Sequence, residues 1–118
     1  MSGRKAAKYF LGKPGSVRLN CAQAVAAAFK DKGLISEGEF QLFSGYGSGR
    51  APEGHCGSLH AAMVILRRIS PDKVKELQAL FSAKAGALEC KQIRLAKKIP
   101  CSACVELAAD FVGKVYQE

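Results

Sequence analysis

The residues of this 118-residue chain best suited to chemistry are its five cysteines: Cys21, Cys56, Cys90, Cys101 and Cys104. Cys56 stands where a glycine-crowded loop (Gly45, Gly47, Gly49, Gly54, Gly57) gives way to an apolar, helix-forming run. Glycine serves where φ must be positive or where the backbone approaches something closely. A helix that begins just after such a loop presents unpaired N–H groups and the positive end of its dipole. A thiol there ionises more readily than a free cysteine, whose pKa is about 8.5. Cys56 therefore reads as a reactive or ligating thiol.

The other cysteines fall at comparable places. Asn20 is a good N-cap for a helix CAQAVAAAFKDK that Cys21 opens and Gly33 stops. Pro100 starts a last helix headed by Cys101, with Cys104, Val105, Ala108, Phe111, Val112 and Val115 along one stripe. Cys90, flanked by Lys91, completes a set of four with Cys21, Cys56 and Cys101. The competing explanation is packing, since free cysteine behaves as a small hydrophobe and is among the most buried residue types. Several cysteines at one structural position favour chemistry over packing.

Cys101 and Cys104 form a C-x-x-C, which serves as a redox pair or as half of a metal site. Val105 follows rather than histidine, which excludes covalent haem attachment, and the lack of a second C-x-x-C argues against an ordinary zinc knuckle. His60, one turn beyond Cys56, is a candidate base or ligand. The loop has neither a P-loop ending nor an intact G-x-G-x-x-G. Its amides at Gly47, Gly49 and Gly57 could still cradle an anion or the sulfurs of a cluster.

The elements that must position these thiols are helical. Residues 3–11 read as a short helix ended by Gly12 and Pro14–Gly15, and Ser36 with Glu39 makes a capping box for a helix through Phe43. Cys56, Leu59, His60, Met63 and Val64 share a face on the next, and Ser70–Pro71 starts another that Gly86 stops. No stretch alternates with period two and nothing repeats. The expectation is an all-α fold over residues 1–118, a single compact bundle of five or six helices with a Gly-rich loop before the central one.

Net charge is +8, and the six charges in the first thirty residues are all basic. Lys91, Arg94, Lys97 and Lys98 form a second cluster without an acid. No nucleic-acid motif accompanies this charge, so a solvated surface explains it best. The N-terminus lacks the apolar core of a signal peptide, and no apolar run reaches the ~18 residues a bilayer requires. A cytoplasmic location follows, where cysteines are more often redox-active or metal-binding than structural disulfides.

With those residues in view, the chain resembles the C_GCAxxG_C_C family of redox-active proteins. NCAQAV at Asn20 to Val25, the glycine run into Cys56–Gly57, the Phe81 to Cys90 segment and the Cys101 helix recur in that order over about residues 17 to 113. The resemblance puts the family's four cysteines on Cys21, Cys56, Cys90 and Cys101 and makes Cys104 an addition. The central motif here reads Cys56-Gly57-Ser58-Leu59-His60-Ala61, with Ser58 in place of alanine and Ala61 in place of glycine.

The leading expectation is cysteine-based redox chemistry, by thiol–disulfide exchange or by an iron–sulfur cluster or other thiolate-bound metal on Cys21, Cys56, Cys90 and Cys101. Its partner would be a redox protein or a small thiol, and a homodimer could share a cluster between subunits. The alternatives are a non-catalytic metal-binding module and a basic adaptor for an acidic partner or nucleic acid.

Overall fold

The computed structural model describes residues 20–30, 32–45, 55–96, 98–99 and 101–117, except for the side chains of Cys90, Arg94, Cys101, Ser102 and Gln117. The expected helix over residues 3–11 and the glycines Gly47, Gly49 and Gly54 lie outside the described residues. Among the described residues six α-helices follow one another: α1 (Cys21–Lys30), α2 (Glu37–Leu42), α3 (Gly57–Ile69), α4 (Val74–Ala85), α5 (Cys90–Ala96) and α6 (Cys101–Gln117). The protein is all-α, and among the described residues the only β-type pairing is an isolated antiparallel bridge between His55 and Glu89. No described helix is long and apolar enough to cross a membrane.

Helices α1, α3 and α6 pack against one another, α4 lies against α3 and α6, and α2 against α1. Alanine makes the central packing close. Ala22, Ala24, Ala26 and Ala28 of α1, Ala61 and Ala62 of α3, and Ala108 and Ala109 of α6 are all buried. Larger side chains fill the rest of the core: Phe29, Leu59, Ile65, Leu66, Leu77, Phe81, Val105 and Val112.

Helix α3 is buried more widely than a single stripe. Gly57, Ser58, Leu59, Ala61, Ala62, Met63, Ile65 and Leu66 are all buried, whereas His60 and Val64, expected on the core face, are half-buried. An amphipathic stripe describes a helix with one face on the core, and α3 is flanked by α1, α4 and α6.

The capping signals translate into geometry. Asn20 Oδ1 accepts from the Gln23 N–H at 2.8 Å, closing the first turn of α1, while its Nδ2 donates to the carbonyls of Phe43 and Ser44 at 3.0 Å each. Ser36 and Glu39 form the expected capping box on α2. Gly86 ends α4 in the left-handed conformation at φ 90°. The Ser70–Pro71 start differs in detail: a 3-10 turn at Pro71–Lys73 precedes α4, and the Ser70 hydroxyl donates to the Asp72 carboxylate rather than capping the helix. Helix α5 was not an expected element; the segment around Cys90 is short, and Lys91, Gln92 and Arg94 interrupt its few apolar residues.

Candidate functional site

Each of four cysteines stands at a helix start. Cys21, Cys90 and Cys101 are the first residues of α1, α5 and α6, and Cys56 is the N-cap of α3. The site is assembled where the starts of α1 and α3 meet the first turn of α6. Cys21, Cys56 and Cys104 are reduced thiols there, Cys21 half-buried and the other two buried.

Cys56 is the centre of this group. Hydrogen bonding from Cys104 and then from Cys21 holds its thiol well below the ordinary range, against the opposing cost of burial. The Ser58 hydroxyl, 2.9 Å from Cys56 Sγ, and the Leu59 N–H add to the effect. The Leu59 N–H favours the charge without closing a capping hydrogen bond. Cys21 shifts the other way. Its hydrogen bond to Cys56, burial and the charge on Cys56 all raise it, while the N–H groups of Ser58 and Gly57 pull it down. The hydrogen bonds to Cys56 thus favour its thiolate over that of Cys21.

Two further contacts fix the place of Cys56. Its N–H donates to the Leu88 carbonyl at 2.9 Å, and the adjacent His55–Glu89 bridge extends the pairing by one residue on each strand. These contacts run the chain beside the start of α3 just before Cys90 opens α5. The side chains of Cys90 and Cys101 lie outside the described residues, as do Gly47 and Gly49. Gly57, read from sequence as loop backbone able to cradle a group, opens α3 with its N–H facing Cys21.

The His60 ring stands edge-on to Phe43, with centroids 5.8 Å apart. Burial, with the charges of Arg67 and His55, lowers its pKa and keeps the imidazole neutral near pH 7. A neutral imidazole retains the acceptor nitrogen that a base requires. Among the described residues no group of three or more His, Cys, Asp or Glu side chains is arranged to hold a metal ion. Cys104 and Cys21 each hydrogen-bond to Cys56.

Sequence reasoning gave Cys104 an auxiliary place and Ser58 no role. The signals were present: Cys104 sits one turn into α6 on its core stripe, and Ser58 is the single hydroxyl between Cys56 and His60. The family model described as "Putative redox-active protein (C_GCAxxG_C_C)" matches residues 19–116, and the chain belongs to that family. No curated protein and no solved structure matches it.

Proposed function

We propose that this protein is a thiol–disulfide redox protein in which Cys56 is the attacking sulfur and Cys21 and Cys104 are resolving thiols. The observation that carries this reading is the Cys56 sulfur, buried yet favoured as a thiolate by two neighbouring thiols and a hydroxyl. The thiolate is the nucleophile in such exchange, and a second thiol in contact with it completes the reaction.

The external reactant is a disulfide, of a small thiol or of a partner protein. Cys56 Sγ attacks one of its sulfurs and the other leaves as a thiolate. Cys21 or Cys104 then attacks Cys56 Sγ and expels the remaining external sulfur. Two electrons pass to the external disulfide, which departs as two thiols. With Cys56 entering as the thiolate, one proton comes from the resolving thiol and the other from solvent.

Cys90 and Cys101 enter this reading as redox thiols of the same end of the bundle, the positions the family pattern puts on them. A metal or cluster would draw on those two side chains together with Cys21 and Cys56. Equilibrating the reduced protein with a glutathione redox buffer and mapping the product peptides tests the proposal. Loss of two thiols to a Cys56–Cys104 or Cys56–Cys21 disulfide supports it. Cys56 remaining unpaired at full oxidation overturns it, and iron or zinc bound after anaerobic purification would favour ligation instead.

A further inference from the structure

Ser58 is the buried polar side chain of the described core, with no exposed surface. A hydroxyl removed from water costs free energy unless it is hydrogen-bonded. The partner here is Cys56 Sγ at 2.9 Å. A hydroxyl has one proton to donate, and opposite an ionised sulfur that proton lies on the S···O line. The same residue reaches the second sulfur through its main chain, since the Ser58 N–H faces Cys21 Sγ. Ser58 follows Gly57 in the first turn of α3, where N–H groups have no partner within the helix. Its hydroxyl meets the sulfur at the start of α3, and its N–H lowers the pKa of the thiol that opens α1.

We propose that Ser58 is a positioning residue for the exchange, its buried hydroxyl hydrogen-bonded to the attacking sulfur, Cys56 Sγ. The inference rests on the thiol–disulfide reading and deepens it by naming what selects Cys56, among three adjacent thiols, to carry the charge. Cys21 and Cys104 offer Cys56 thiol protons that they can lose in turn. The Ser58 hydroxyl does not ionise in the working range, so it biases the shared charge toward Cys56 alone.

The test is the pH profile of Cys56 alkylation by iodoacetamide in the reduced full chain, read at the Cys56 peptide by mass spectrometry. In the wild-type protein the midpoint falls below the value of about 8.5 for a free cysteine. Ser58→Ala raises that midpoint by about one pH unit, or slows alkylation about tenfold at a fixed pH below it, the scale of a hydrogen bond to a charged group. A purely structural serine would lower the melting temperature and leave the midpoint in place, and that result overturns the proposal. Ser58→Thr and Ser58→Val, alike in shape, separate the hydroxyl from packing should the alanine variant fold poorly. Thr keeps the wild-type midpoint and Val raises it; equal midpoints for the two overturn the proposal. A wild-type midpoint at or above about 8.5 would instead defeat the thiol–disulfide reading itself.

Discussion

The backbone N–H of Cys56 donates to the carbonyl of Leu88 at 2.9 Å, which joins the start of α3 to the chain that leads into α5. An N-cap N–H has no intrahelical acceptor and is commonly left to water. Here it is spent on a contact across more than thirty residues. Cys56 is thus fixed through its main chain while its side chain is fixed by Cys104, Cys21 and Ser58.

This link predicts slow hydrogen exchange at the Cys56 amide. Residue-resolved exchange by NMR should show Cys56 protected at least about tenfold beyond an open loop amide. Exchange at the rate of an unprotected amide would mean that the Cys56–Leu88 link opens freely.

The three-thiol arrangement predicts redundancy in resolution. Cys21→Ser and Cys104→Ser should each still form a disulfide at Cys56 in a glutathione buffer, through the thiol that remains. The double variant should lose that disulfide, and Cys56→Ser should lose both internal pairings. A Cys56–Cys90 or Cys56–Cys101 disulfide in the double variant would move the resolving role to Cys90 or Cys101.

A side chain at Gly86 should destabilise the fold. Its φ of 90° is left-handed, and a Cβ there would lie 3.1 Å from Ala96 Cβ, where α5 ends. Gly86→Ala should cost about 1–2 kcal/mol, from the left-handed backbone alone, with more from the contact. Chemical denaturation measures it, and an unchanged midpoint would show that this turn has room to move.

The Glu39–Arg68 pair gives stability a defined acid dependence. Arg68 donates to Glu39 and to the Leu34 carbonyl, joining α2 to the end of α3. The guanidinium holds the Glu39 carboxyl down at about 2. A carboxylate with a depressed pKa stabilises the fold above its unfolded value and ceases to do so as pH falls through the folded one. The wild type should therefore exceed Glu39→Gln in stability by under about 1 kcal/mol at neutral pH, the pair being partly exposed. That margin should shrink below about pH 4.5 and vanish near pH 2. Equal stabilities at neutral pH would make the ion pair energetically silent.

Much of this architecture was legible in the sequence because caps are local. Asn20, Ser36 with Glu39, and Gly86 each act within a few residues, so the ends of α1, α2 and α4 could be read from the chain. The all-α class and the placement of Cys21, Cys56 and Cys101 at helix starts followed from the same signals. The breadth of burial on α3 was not legible, because it depends on how many helices surround a segment. Nor was Cys104 as a sulfur that meets Cys56. Spacing puts Cys104 on a buried stripe, but only the crossing of α6 against α1 and α3 brings that stripe to the thiols. Ser58 was legible only as a departure from the family motif, because a serine in a first helical turn ordinarily requires no explanation.

A Cys56 thiolate inside the bundle is read by ultraviolet absorbance without a reagent having to enter. The reduced wild type and Cys56→Ser should be titrated side by side. Their difference should rise as a single thiolate with a midpoint below about 8.5, the value for a free cysteine. A difference that appears only at or above that value would contradict the account and leave Cys56 a packed, protonated thiol.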